Sequence, residues 1–393
     1  MSYKVLAQEL GESLTYRMSL GSKELYHSNV WAWLMENDHS FVQCFFDDVK
    51  PENVDKITRE EGHRDITIHL KNSDKVLVIE NKLKSIPSQR QLNDYSHGLG
   101  ESFLLGLLTG LEPTTIVDLA TNMVNGTSKP WRFKKYDNIA RSIREVLDAS
   151  QNQVIQDNKE IIAQYCDDID KMNHIVSATL EERKEVFFHS HDDSLEKLGL
   201  NDLINKVNGG AFSLYFWKRV AENQLGEDQL DIKSEHYFRQ WEAFNRKQCT
   251  LEFRYSSYDE KKKDAPYFVI GIELQGGTYR RDVEIKNNGS LSADGLFHLT
   301  SEMGYFSKDF DGKKSDKNRR ILLPGMKNAM PTKMTGTYCK YEVGYLNLYQ
   351  YFNLEDATTG KYDTLYRMII NDLGIARPIF EKRELFIHPK EEK

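Results

Sequence analysis

Asp65, Glu80 and Lys82 are the residues of this chain whose types and spacing could do chemistry. Glu80 and Lys82 stand two apart at the end of an apolar run, so on a strand they point to the same side. Between Asp65 and Glu80 lies Lys71-Asn72-Ser73-Asp74-Lys75, a polar stretch rich in turn formers. If a tight loop is centred on Asn72 and Ser73, positions 71 and 74 pair, and counting back along the ladder sets Asp65 opposite Glu80. Directly opposed residues share a face, with Cβ atoms roughly 5 Å apart. Two carboxylates and an ammonium would then converge at one strand end. Such a cluster suits Mg²⁺, or Mn²⁺ in its place, because a hard cation takes carboxylate oxygens and keeps water and phosphate oxygens in its other positions. The lysine would hold or help deprotonate an attacking water and offset charge building on a phosphate. The competing reading is a hairpin ending in solvated charges.

The elements that must position this cluster are legible around it. Arg64 to Leu70 alternates, with Ile66, Ile68 and Leu70 on one face, which predicts a half-buried strand. Val76 to Ile79 is a short, mostly β-branched run, as expected of a central strand. Ser85 to Tyr95 reads as a helix start with Pro87 in its first turn, placing Gln91 and Tyr95 one turn apart on one face. An ordinary amphipathic helix using Leu92, Tyr95 and Leu99 as core gives the same pattern. Upstream, the pattern predicts a helix from Glu24 to about Glu36 and a strand over Val54 to Arg59, with Glu60 and Glu61 in the turn that follows. Downstream it predicts a strand at Thr114 to Leu119, a strand or edge at Trp131 to Tyr136, and helices over Asp137 to Leu147 and Lys159 to Ile175. The order predicts an α/β fold, a mixed sheet flanked by helices.

Asp65, then Glu80-Asn81-Lys82, then Gln91-Leu92-Asn93-Asp94-Tyr95 resembles the PD-(D/E)xK nuclease superfamily, with the QxxxY element of its RecB-like branches. The resemblance implies a restriction-endonuclease-like core. In it Asp65 and Glu80 hold the metal, Asn81 lends its backbone carbonyl, Lys82 serves the water, and Gln91 and Tyr95 approach the site. Arg64 stands where the name-giving proline would be. Glu24 to Leu34, ELYHSNVWAWL, is similar to the ExxHS helix of a mostly bacterial stand-alone subgroup. That implies Glu24 as a further site residue and His27 as a weaker one, a lone helical histidine being more often structural. Some RecB-like nucleases carry an iron–sulfur cluster, but Cys44, Cys166, Cys249 and Cys339 do not have that spacing, nor any CxxC.

At 393 residues the chain predicts two domains, 1–195 nuclease-like and 196–393 an α+β domain rich in antiparallel strands. The charged stretch between Thr179 and Asn208 marks the boundary, and His189, His191, Asp192 and Asp193 within it read as a solvated loop. In the second half, Thr250 to Tyr255 and Tyr267 to Leu274 read as strands and Lys361 to Leu373 as a helix. Its basic stretches, Lys261 to Lys263, Arg280-Arg281 and Lys313 to Arg320, read as solvated loops. A net charge of -7 argues against a general polyanion binder, so nucleic-acid contact must use a local patch. Residues 129 to 144 supply one: Arg132 and Lys134 share a face of an extended Trp131 to Tyr136 and would contact DNA phosphates. Charges guarding an edge strand would look the same.

These features predict a metal-dependent nuclease hydrolysing the phosphodiester bonds of DNA, RNA being the less favoured substrate. Phage defence, restriction and DNA repair would each suit it. The alternative is a binding or regulatory protein on a nuclease fold, without catalytic activity. The second domain would select substrate or a protein partner, or make a homo-oligomer. The first residues carry no apolar signal core, Phe103 to Leu111 is too short to span a bilayer, and a cytoplasmic protein with no membrane partner is the expectation.

Overall fold

The computed structural model describes residues 3–12, 15–16, 23–83, 92–95, 103–110, 131–183, 185–187, 191–222, 238–243, 250–259, 262, 265–286, 305, 313–315, 320–323, 336–342, 345–354 and 360–387. They fall into two compact units, Met1–Lys184 with Ser190–Leu214, and Glu185–His189 with Tyr215–Lys393.

The first unit opens with helices α1 (Tyr3–Glu12) and α2 (Lys23–Asn37). Strands β1 (Val54–Arg59), β2 (Ile66–Leu70) and β3 (Val76–Lys82) follow as an antiparallel meander. Strands β4 (Phe103–Gly110) and β5 (Trp131–Lys135) extend the sheet in parallel, in the order β1-β2-β3-β4-β5. The mixed sheet is therefore as expected, but its fourth strand is not the one the sequence pointed to. Thr114 to Leu119 lies outside the described residues, and Phe103–Gly110 occupies the position between β3 and β5. Phe103–Gly110 does not alternate and is interrupted by Gly106 and Thr109, so neither a period of two nor an unbroken β-branched run marks it as a strand.

Helix α3 (Tyr136–Ala149) follows β5 directly, and α4 (Gln153–Asp157) and α5 (Lys159–Glu182) follow in turn. Tyr136, Ile139, Ala140, Ile143 and Leu147 of α3 are buried, the spacing of one helical face. Each large apolar side chain so buried contributes about 1.5–3 kcal/mol. On α2 the buried set is His27, Ser28, Trp31, Ala32, Leu34 and Met35. The stretch around Asp192 is not the solvated loop it resembles. Asp192 accepts from the N–H groups of Ser194 and Leu195, capping α6 (Asp193–Lys197).

Helix α7 (Asn201–Glu222) leads to the second unit. Its sheet joins β6 (Phe238–Ala243), β7 (Thr250–Ser256), β8 (Tyr267–Gln275), β9 (Thr278–Lys286), β10 (Lys313–Ser315), β11 (Arg320–Leu323), β12 (Gly336–Glu342) and β13 (Tyr345–Asn353). The order is β10-β11-β12-β13-β9-β8-β7-β6, antiparallel throughout. Gly276 (φ 53°) and Gly277 (φ 81°) turn β8 into β9, because a two-residue hairpin loop of this hand needs positive φ at both positions. Helix α8 (Tyr362–Glu381) packs on β7 and β8 with Leu365, Ile369, Leu373, Ala376 and Phe380 buried, and α9 (Glu384–Ile387) ends the described chain.

Two of the basic stretches expected as loops belong to strands. Arg280 and Arg281 lie in β9, and Lys313–Ser315 and Arg320 in β10 and β11. Arg281 is buried because Asp372 on α8 meets it with two hydrogen bonds, Nε to Oδ2 at 2.8 Å and Nη2 to Oδ1 at 2.7 Å. Tyr279 donates to Oδ2 of the same carboxylate at 2.7 Å. A guanidinium can leave water when a carboxylate takes its charge in this forked geometry. Lys261 and Lys263 lie outside the described residues. Among the described residues no helix is long and apolar enough to cross a membrane.

Candidate active site

The β2–β3 hairpin sets the site. Its ladder pairs Ile66 with Ile79, Thr67 with Val78, Ile68 with Leu77 and His69 with Val76. One step further along the same register, Asp65 stands opposite Glu80. The loop is the tight one the sequence implied, with Asn72 in the left-handed region at φ 54°.

Asp65 accepts the backbone N–H of Asn81 on Oδ2 at 2.7 Å. Lys82 Nζ donates to Glu80 Oε1 at 2.5 Å, and the Glu80 side chain is 3 % exposed. Glu24, from the first turn of α2, accepts the N–H of Leu83 on Oε1 at 3.1 Å. The structure thus brings Asp65, Glu80, Asn81, Lys82 and Glu24 together at one end of β3. Val76, Val78, Glu80 and Lys82 share one face of β3 by its period of two. On that face Val78 clusters with Leu92 and Trp131, and Tyr95 packs against the cluster. Gln91 lies outside the described residues.

Burial raises the Asp65 carboxyl above its usual range, against the pull of the Asn81 N–H and Lys82. Burial raises Glu80 too, again opposed by Lys82 and reinforced by Asp65 and Glu24. For Lys82 burial works downward, but the attraction of Glu80 and its hydrogen bond outweigh it, so the ammonium is held more firmly than usual. Three carboxylates around one partly buried cation leave the cluster rich in negative charge.

The donors fit a hard cation. Asp65, Glu80 and the Asn81 carbonyl offer oxygen only, the ligand class of Mg²⁺ and Mn²⁺. Among the described residues no three His, Cys, Asp or Glu side chains form a metal-holding group. Two carboxylates and a carbonyl match an ion that keeps several waters.

His27 and Arg132 and Lys134 stand elsewhere. His27 is buried, its Nδ1 2.9 Å from the Tyr165 hydroxyl and its ring edge-on to Tyr136 at 5.1 Å between centroids. Burial lowers its pKa to about 3, so it is a neutral core histidine at ordinary pH. Arg132 and Lys134 lie on β5, the edge of the sheet, where Lys134 Nζ meets Asp47 at 2.9 Å and Arg132 meets Asp48 at 3.5 Å. Glu61 bonds to Thr58 and His69 across the β1–β2 turn.

Ser28 and Tyr136 were not read as site residues from the sequence. The Asn81 carboxamide donates to the Glu24 carbonyl and to Ser28 Oγ, each at 2.9 Å, and accepts from the Tyr136 hydroxyl. The available signal was an asparagine inside a strand expected to be central, since a buried carboxamide must find partners for its polar atoms.

Residues 15–167 match the family model of the PD-(D/E)XK nuclease superfamily. This segment belongs to that superfamily. No curated protein and no solved structure matches the chain. The superfamily match lies within the first unit and takes in α2, the meander, β4, β5 and α3, the elements that assemble the Asp65 cluster.

Proposed function

We propose that the protein is a Mg²⁺- or Mn²⁺-dependent nuclease that hydrolyses phosphodiester bonds of DNA. The observation that carries this reading is the convergence of Asp65, Glu80 and Lys82 at the end of β3, with Asp65 tied to the Asn81 backbone. Asp65, Glu80 and the Asn81 carbonyl would hold the ion. When bound, it would supply Lewis acidity at a phosphoryl oxygen. Lys82, kept protonated by Glu80, acts as a donor: its ammonium orients the water and offsets charge growing on the phosphate. Hydrolysis forms one P–O bond from water and breaks one ester P–O bond, the departing oxygen taking a proton. Glu24 braces the end of β3 through Leu83, and Gln91 and Tyr95 orient Lys82 or the phosphate. Arg132 and Lys134 contact backbone phosphates beside the site, and the second unit selects substrate or partner. A cytoplasmic role in phage defence, restriction or repair suits such an enzyme.

The test is cleavage of single- and double-stranded DNA by purified protein with Mg²⁺ or Mn²⁺. Asp65→Ala and Lys82→Ala should each abolish it while leaving the circular-dichroism spectrum unchanged. Cleavage that survives both substitutions refutes the assignment, and wild-type protein that binds DNA without cutting it favours a non-catalytic binding protein.

A further inference from the structure

Asn81 lies between the two residues of the ExK pair, so its side chain leaves β3 on the face opposite Glu80 and Lys82. That face is covered by α2 and α3, and Asn81 is fully buried there. Every polar position used by its carboxamide has a fixed partner: the Glu24 carbonyl and Ser28 Oγ on α2, and the Tyr136 hydroxyl at the start of α3. Ser28 Oγ itself donates to the Glu24 carbonyl at 3.0 Å, closing the arrangement on itself. The same residue's backbone N–H holds the Asp65 carboxylate.

We infer that Asn81, Ser28 and Tyr136 form a positioning lock that sets the metal-holding backbone of β3 from behind the sheet. The inference rests on the nuclease reading for the ion and on geometry alone for the lock. None of the three side chains needs to touch metal or substrate. A carboxamide held at three points restrains the Asn81 backbone, whose N–H is aimed at Asp65. Because the lock also grips the Glu24 carbonyl, it ties the first turn of α2, and with it the Glu24 carboxylate on Leu83, to the same strand. Groups that orient metal ligands through hydrogen bonds typically affect affinity by about 10–100-fold.

Tyr136→Phe and Ser28→Ala each remove one hydroxyl of the lock and leave the surrounding packing nearly intact. Tyr165→Phe is the control, since it removes a buried hydroxyl that contacts His27 and belongs to no part of the lock. Calorimetric titration of each full-length protein with MnCl₂ should show about tenfold or greater weakening for Tyr136→Phe and Ser28→Ala, and unchanged affinity for Tyr165→Phe. A second readout needs no metal: in protein labelled with ¹⁵N-asparagine, the Asn81 backbone amide should shift in the two lock variants and stay in place in the control. Wild-type affinity in Tyr136→Phe and Ser28→Ala, or an unmoved Asn81 amide, overturns the lock. A wild-type protein that binds no Mn²⁺ refutes the nuclease reading instead, and the amide readout then decides the lock.

Discussion

The backbone N–H of Asn81 meets the Asp65 carboxylate at 2.7 Å, joining the first residue ahead of β2 to the far end of β3. One oxygen of Asp65 is thereby held in place before any ligand arrives. Asp65→Asn keeps a carbonyl oxygen for that hydrogen bond but loses the negative charge. It should therefore retain fold stability within about 1 kcal/mol and lose metal binding, whereas Asp65→Ala should lose both the bond and the binding. Urea unfolding and calorimetry on the pair separate the two effects, and equal metal affinity in wild type and Asp65→Asn would count against Asp65 as a ligand.

His27 supplies a pH dependence of stability. Its folded pKa, about 3, lies below the unfolded value of 6.5. Between those values the unfolded chain binds the extra proton, so this contribution is complete above pH 6.5 and declines as pH falls toward 3. The slope at full effect is about 1.4 kcal/mol per pH unit. In His27→Gln, denaturant midpoints compared at pH 4.5 and 6.5 should report about one proton fewer taken up on unfolding. An unchanged proton uptake would mean that His27 titrates normally in the fold.

Arg281 and Asp372 form an almost fully buried pair in the second unit, with side chains 3 % and 2 % exposed. Asp372→Ala leaves a guanidinium in the core without its counter-charge and should cost about 3–5 kcal/mol. Replacing both at once, Arg281→Met with Asp372→Leu, should recover most of that loss. Chemical denaturation of the full chain reads both, and a loss under about 1 kcal/mol for the single change would show that the charge escapes to water.

Arg132 and Lys134 face Asp48 and Asp47, so DNA phosphate has to compete with protein carboxylates for them. Replacing both basic residues by alanine should weaken DNA binding and flatten the dependence of log K on log salt by roughly two units. Asp47→Asn with Asp48→Asn should do the opposite to affinity, tightening binding most at low salt. If neither pair changes binding, the phosphates are held elsewhere.

Much of the site could be read in the sequence because it depends on short-range geometry. The turn formers at 71–75 set the hairpin register, the register set Asp65 opposite Glu80, and a two-residue spacing put Lys82 beside Glu80. The lock behind Asn81 could not be read the same way, since Ser28 and Tyr136 reach it from helices far along the chain, and only packing brings them there. Arg280 and Arg281 show the same limit. Adjacent arginines look solvated until a carboxylate at position 372 arrives to neutralise one of them. The strand at Phe103–Gly110 escaped because Gly106 and Thr109 interrupt an apolar stretch that has no alternation.

The hairpin also dictates where this gene can change length. An extra residue after Asn72 only widens the loop and leaves every pair of the ladder in register. The same insertion within Ile66–Leu70 would turn each residue before it to the other side of the sheet and carry Asp65 away from Glu80. Insertions and deletions among relatives should therefore collect at 71–75 and be absent from the two strands that the loop joins.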